Sequence, residues 1–153
     1  MKKKLIVTVG NPMMGDDAAG PLLAQAMQSA PLEDWDVVEG GFMPENCLYL
    51  IREIAPEQIL VVDAADMDLM PGEVRLISAD TLEDPFLMTT HNLSLFYLVQ
   101  SLREFAPKVE LVGIQPLAVA FGYPVSPEVK QAVERVYEDL KQADLSWESL
   151  NER

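Results

Sequence analysis

Apolar residues along this chain form two patterns, short continuous runs and stripes with helical spacing. Short apolar runs bounded by charged or turn-forming residues are typical of buried parallel strands, and apolar residues three or four positions apart are typical of helices that pack on a sheet. Strands are predicted at residues 5–9, 35–39, 58–62, 73–77 and 108–114. Helices are predicted at residues 18–30, 44–55, 93–105 and 127–142. This order predicts an α/β three-layer sandwich, with a mostly parallel five-stranded twisted sheet and helices on both faces.

One predicted strand differs from the others in its setting. Residues 73–77 follow the turn Met70-Pro71-Gly72, which favours a hairpin-like edge strand that runs antiparallel. At 153 residues, of which 49% are hydrophobic, the chain can bury one ordinary core. We therefore predict a single α/β domain over residues 1–143. Residues 144–153 lose the apolar periodicity and are expected to form a frayed tail.

Three polar segments interrupt this apolar framework, at residues 10–17, 63–66 and 89–92. The first two follow predicted strands, and the third precedes a predicted helix. Loops at the carboxyl ends of parallel strands face the same crevice, so we expect Asp17, Asp63 and His91 to converge there. Two carboxylates and an imidazole can bind a divalent metal ion or move a proton.

A purely structural explanation also exists for the acids of the first two segments and for Cys47. Asp16 and Asp17 stand where a helix begins, and acids there often cap free N–H groups. Asp63 ends an apolar strand, where Asp often turns the chain. Cys47 is expected to pack as a small hydrophobic residue, although a nucleophile–base pair with His91 is possible in principle. Position alone leaves these alternatives open.

Nucleotide-binding motifs are absent from the first loop. Gly10 and Gly15 are followed by Asp16 and Asp17, whereas a phosphate-binding loop needs a lysine at this point. The dinucleotide fingerprint requires a second glycine two residues after Gly10, and that position is Pro12. The loop is therefore not interpreted as a nucleotide site.

The charge balance narrows the choice of partners and compartment. There are 25 acidic and 11 basic residues, which gives a net charge of −14 spread along the chain. Such a surface repels nucleic acid and anionic lipid, so neither nucleic acid nor a membrane is expected as a partner, whereas a metal cation or a basic peptide suits it better. Cys47 is the only cysteine, which excludes an internal disulfide bond and fits a reducing compartment. The apolar run after the N-terminal lysines is too short for a signal peptide, so a cytoplasmic protein is expected.

Several motifs in this order resemble those of the hydrogenase maturation endopeptidases. They are VGNPMMGDDAAGP at residues 9–21, GG at 40–41, PEN at 44–46, VVDAADM at 61–67, PGE at 71–73, MTTHN at 88–92 and GIQP at 113–116. The likeness extends to about residue 140 and is greatest for the HycI-type branch, which serves hydrogenase-3 of the formate hydrogenlyase group.

The resemblance implies a specific reaction. Members of this family remove a short C-terminal extension from the precursor of a nickel–iron hydrogenase large subunit after nickel has been inserted. Their metal-contacting positions correspond here to Asp17, Asp63 and His91, and the nickel is carried by the precursor. We expect Asp17 and Asp63 to be catalytic as well. The hydrolytic route is open between a metal-polarised carbonyl or activated water and a carboxylate acting as general base.

Two other classes of function share part of this pattern. Receiver-type phosphorylation modules also place an acidic pair after the first strand and an acceptor Asp after the third. They need a lysine after the last strand, where this chain has Gly113-Ile114-Gln115-Pro116, and they leave His91 without a role. A noncatalytic nickel-binding assembly factor would use the same three ligands. Only a protease would shorten a nickel-loaded precursor.

Overall fold

Strands and helices alternate along the chain, as the apolar pattern predicts. The computed structural model describes residues 4–41, 43–78, 88–89 and 92–150. Its strands are β1 (Lys4–Thr8), β2 (Asp36–Glu39), β3 (Gln58–Asp66), β4 (Val74–Ile77), β5 (Met88–Thr89) and β6 (Lys108–Ile114). Its helices are α1 (Ala19–Ser29), α2 (Leu48–Ile54), α3 (Asn92–Leu102) and α4 (Pro127–Lys141), and 3-10 turns at Gly15–Ala18 and Pro44–Cys47 precede α1 and α2. Among the described helices, none is both long and apolar enough to cross a membrane.

The central sheet has the strand order β2-β1-β3-β6-β4 within the described residues. β2, β1, β3 and β6 are parallel to their neighbours, and β4 lies antiparallel to β6 at the edge. The predicted five-stranded, mostly parallel α/β architecture is therefore confirmed, including the antiparallel edge strand. Thr8, at the carboxyl end of β1, pairs with Val62 of β3, so the first two polar segments begin side by side.

β3 is longer than the sequence predicts. The apolar run ends at residue 62, but the strand continues to Asp66, because Ala65 and Asp66 pair antiparallel with Thr89 and Met88 of β5. A two-residue strand such as β5 has no periodicity that a sequence pattern can reveal. Asp63 therefore lies inside a strand and not in a turn, and its register partner in β6 is Gly113.

Two apolar cores cover the two faces of the sheet, since successive strand residues point to opposite sides. On one face, Leu5, Val7, Ile59 and Val61 pack with Ile51 of α2 and with Leu95, Leu98, Val99 and Leu102 of α3. On the other, Ile6, Leu60 and Val62 pack with Leu23 and Met27 of α1 and with Val129, Val133, Val136 and Leu140 of α4. Asp63 has the strand parity of Ile59 and Val61, so it belongs to the face that α2 and α3 cover.

The segment after residue 143 departs from the frayed tail expected from the sequence. The amide of Leu76 in β4 donates to the carbonyl of Glu148 (2.9 Å), and the amide of Leu150 donates to the carbonyl of Leu76 (2.8 Å). Leu150 is buried, and the Trp147 indole donates to Asp139 Oδ2 (2.8 Å). The expectation is therefore wrong for residues 144–150, because the backbone groups of an edge strand offer partners that need no apolar pattern.

Candidate active site

The first polar loop turns tightly beside the end of β1 because residue 10 is a glycine. Its φ of +143° suits glycine, and a Cβ at this position would lie 2.1 Å from the carbonyl oxygen of Asp17. This close approach brings the amide of Asn11 within hydrogen-bonding distance of Asp17 Oδ2 (2.8 Å). Asp17 is fully buried in the 3-10 turn Gly15–Ala18. The loop thus fixes the carboxylate of Asp17 next to the carboxyl end of β1.

The second carboxylate, Asp63, is positioned by β3. It follows directly after Val62, the last residue of β3 that pairs with β1. Its Oδ1 accepts a hydrogen bond from the amide of Ala64 (2.8 Å), whereas its Oδ2 is buried and has no hydrogen-bond partner within the described residues. A buried carboxylate oxygen that lacks a partner costs free energy, which is typical of functional sites.

Asp17 and Asp63 lie within electrostatic reach of each other. The pKa of Asp63 is held well above its ordinary value by burial first and by the negative charge of Asp17 second, and the Ala64 amide opposes the shift. The charge of Asp17 disfavours a second negative charge on Asp63, and either a proton on Asp63 or a divalent cation at the pair relieves the repulsion. The pair is thus suited to cation binding and to proton transfer.

Asp16, the neighbour of Asp17, does not cap a helix as considered above but has another structural role. Neither the 3-10 turn nor α1 has a side-chain cap. Asp16 Oδ1 accepts from the amide of Ser126 (2.7 Å), and Oδ2 accepts from Ser126 Oγ (2.8 Å) and from the amides of Leu117 (2.8 Å) and Ala118 (3.3 Å). Ser126 in turn is the N-cap of α4. Both oxygens of Asp16 are therefore committed to holding the loop between β6 and α4, which leaves Asp17 as the ligand candidate of the pair.

Two other sequence candidates have different outcomes. His91 lies outside the described residues, so its role as third ligand stays a prediction. No group of three His, Cys, Asp or Glu side chains suited to a metal ion occurs within residues 4–41, 43–78, 88–89 and 92–150. Cys47 is half-buried, its thiol donates to the carbonyl of Glu39 (3.6 Å), and burial raises its pKa. This favours the packed thiol over a thiolate nucleophile.

Gln115 is a site-supporting residue whose role the sequence reasoning did not identify. Its Oε1 accepts from the amides of Met67 (2.7 Å) and Leu69 (3.3 Å), and its Nε2 lies within 3.2 Å of Asp66 Oδ1 and of the carbonyl of Pro116. Gln115 thereby holds the segment through which the chain leaves β3, four residues after Asp63. The available signal was a polar amide placed directly after the apolar strand β6 and before a proline.

Known proteins match the chain over most of its length. The family profile described as HycI, hydrogenase maturation protease, matches residues 20–143. The hydrogenase 3 maturation protease of Escherichia coli is 48% identical over 144 residues, which is 94% of this chain and 90% of that protein. A putative hydrogenase maturation protease of Methanocaldococcus jannaschii is 30% identical and covers 91% of this chain and 86% of its own.

Solved structures agree with these sequence matches. The solution structure of the endopeptidase HycI from Escherichia coli superimposes with a TM-score of 0.90 at 45% identity, and covers 98% of this chain and 97% of its own. The crystal structure of the nickel–iron hydrogenase maturation protease HycI from Thermococcus kodakarensis gives a TM-score of 0.79 at 26% identity, with 94% and 93% of the chains covered.

Proposed function

Because this chain belongs to the hydrogenase maturation proteases of the HycI type, we propose that it removes the C-terminal extension from the nickel-loaded precursor of a nickel–iron hydrogenase large subunit. Family membership makes it a peptidase, which sets aside both the receiver-like module and the noncatalytic assembly factor. We further propose the identity of the substrate and the recognition of its bound nickel.

The Asp17–Asp63 pair is the observation that supports recognition of the precursor's nickel. Asp63 Oδ2 is buried and has no hydrogen-bond donor in the part of the chain that the structure describes, and the neighbouring charge of Asp17 makes ionisation of Asp63 unfavourable. A divalent cation at the pair supplies the missing partner and reverses the repulsion. The precursor's nickel therefore stabilises the ionised pair, and a precursor without nickel leaves the repulsion in place.

His91 completes the proposed ligand set. A neutral imidazole nitrogen suits nickel well, and two carboxylates with one imidazole leave coordination positions for the ligands that the precursor already provides. An incomplete site of this kind binds the metal only together with its carrier. The metal thus acts as part of the substrate, and the protein does not need to hold nickel at rest.

The peptide bond is cut by water with help from the same pair. Asp17 and Asp63 orient the attacking water, and an ionised carboxylate serves as the general base that takes its proton. Polarisation of the scissile carbonyl by the precursor's nickel is the other route compatible with this site. Both routes need the precursor docked with its nickel at the carboxylates, so both predict the same substrate requirement.

The setting of the reaction follows from composition. The net charge of −14 favours a partner with a neutral or basic contact surface. The single cysteine suits a reducing compartment, so we place the reaction in the cytoplasm.

Substrate recognition through the folded, nickel-loaded precursor predicts that a short peptide will not be cut. We expect mass spectrometry to detect shortening of the nickel-loaded precursor, and no product from a synthetic peptide that copies only the cleavage junction, with or without added nickel. The peptide lacks the precursor's own metal ligands, so it cannot present nickel to Asp17 and Asp63. Efficient hydrolysis of the peptide in metal-free buffer would refute the proposed function.

A further inference from the structure

Four large apolar side chains stand exposed beside the first loop. They are Met13, Leu117, Phe121 and Tyr123, with exposed fractions of 60%, 61%, 71% and 59%. We call this set the apolar platform. A cluster of exposed apolar side chains on a soluble domain commonly marks an interaction site.

Hydrogen bonds join the apolar platform to the candidate active site. The amide of Gly122 donates to the carbonyl of Met13 (2.9 Å), and the amide of Asp16 donates to the carbonyl of Ala118 (2.9 Å). Asp16 Oδ2 accepts from the amide of Leu117, the first platform residue in the loop between β6 and α4. A buried carboxylate next to Asp17 therefore holds an exposed apolar loop in place. A surface fixed in this way loses little conformational entropy when a partner binds.

The apolar platform also lies in segments without charged residues, although the protein as a whole is strongly acidic. Residues 113–126, which contain Leu117, Phe121 and Tyr123, include no Asp, Glu, Lys or Arg, and neither do residues 5–15, which contain Met13. The whole chain has a net charge of −14. An occupant of the platform therefore gains from apolar burial and not from charge pairing, which selects an uncharged apolar segment.

We propose that the apolar platform binds an uncharged, apolar segment of the precursor that lies next to the scissile bond. This inference rests on the proposed function and adds a specificity surface to it. The precursor is the favoured occupant because the platform begins within the loop that positions Asp17, where Met13 lies two residues from Asn11, the hydrogen-bond donor to Asp17. A second copy of this chain is the competing occupant.

The test removes apolar area from the platform without adding charge. Leu117→Ser, Phe121→Ser and the double variant are compared with Leu50→Ser, in which a leucine of similar exposure (50%) is changed on α2. Leu50 borders a different surface, which is lined by Trp35 and by Val38 of the edge strand β2. It therefore serves as a matched control. The substrate is the nickel-loaded large-subunit precursor from the organism that encodes this chain.

We expect KM for the precursor to rise about tenfold in each single platform variant and further in the double variant, because each loses a buried apolar contact, while kcat stays within about twofold. Leu50→Ser should match the wild-type protein. An unchanged KM in the double variant, or an equal rise in Leu50→Ser, would overturn the proposal.

Measurements of precursor binding and of self-association distinguish failure of the platform proposal from failure of the proposed function. If the wild-type protein binds the precursor but does not shorten it, the proposed function fails, and the platform is then judged by the dissociation constants of the same variants. A platform role predicts weaker binding of Leu117→Ser and Phe121→Ser in that case too. If sedimentation velocity detects a wild-type dimer that the platform variants dissociate, the occupant is a second copy and the proposal is wrong.

Discussion

Replacing Asp63 by Asn should abolish processing of the precursor and at the same time raise the melting temperature of the free protein. Asp63 is fully buried, its Oδ2 lacks a hydrogen bond within the described residues, and the charge of Asp17 acts on it. Asn keeps the shape and removes the charge, so the folded state loses an unfavourable electrostatic contact that is worth about 1–3 kcal/mol. For a chain of this length, this corresponds to a rise in Tm of roughly 3–8 °C.

The same substitution removes the negative charge that a divalent cation needs, so loss of activity and gain of stability should occur together, as is common at functional sites. Processing of nickel-loaded precursor and thermal unfolding of the free protein measure the two effects. Asp68→Asn is the matched control, because Asp68 is an exposed acid in the segment that follows β3, and neither property should change in that variant. A variant Asp63→Asn that melts below the wild-type protein would refute the unfavourable pairing of Asp17 and Asp63.

The gain in stability should depend on pH in a defined direction. Burial and the charge of Asp17 hold the pKa of Asp63 well above its ordinary value in the folded protein, so the unfolded chain releases this proton at lower pH. Stability linked to Asp63 is therefore present below the pKa of the unfolded chain and is lost as pH rises toward the pKa of the folded protein. Asn does not titrate, so the difference in Tm should be larger at about pH 8 than at about pH 5.

Replacing Asp16 by Asn should have the opposite effect on stability. The Asp16 carboxylate accepts four hydrogen bonds from Leu117, Ala118 and Ser126, and an amide offers one acceptor oxygen and places an N–H₂ group against the remaining donors. We expect a loss of about 3–5 kcal/mol, which lowers Tm by roughly 10 °C. Scanning calorimetry of Asp16→Asn and Asp17→Asn side by side measures this contrast.

The comparison with Asp17→Asn separates the structural role of Asp16 from the role of Asp17 in processing. Asp17→Asn should lose processing, because Asp17 belongs to the carboxylate pair. It should melt at or above the wild-type temperature, because it relieves the charge repulsion on Asp63. Asp16→Asn should retain measurable kcat at low temperature with a raised KM, because the apolar platform loses its anchor. If Asp16→Asn is inactive and stable while Asp17→Asn processes precursor normally, the roles assigned to these two residues are reversed.

The sequence predicts those parts of the molecule that repeat a local pattern. The apolar runs of β1, β3 and β6 and the stripes of α1 and α4 repeat over several residues, so the layered sheet and its helices follow from them. The proximity of the segments that hold Asp17 and Asp63 follows from the same pattern, because parallel pairing of β1 and β3 brings the end of β1 beside Val62. The metal-binding and catalytic roles of Asp17, Asp63 and His91 stay predictions.

The remaining features depend on contacts between distant residues. The partners of Asp16 lie 101 to 110 positions away, so no local motif distinguishes this acid from a helix cap. Gln115 bonds to amides 46 and 48 positions away, and β5 and the segment at Leu150 gain order only from strands that are already formed. Long-range hydrogen bonds of this kind carry no periodic signal.

In the proposed mechanism, the Asp17–Asp63 pair recognises the nickel that the precursor carries. The most direct measurement is the conversion of one folded precursor, prepared with and without nickel, by the wild-type protein under identical conditions and followed by intact-mass spectrometry. We expect the nickel-loaded precursor to lose its C-terminal extension and the nickel-free precursor to keep its full mass. Equal shortening of the two preparations would contradict this mechanism.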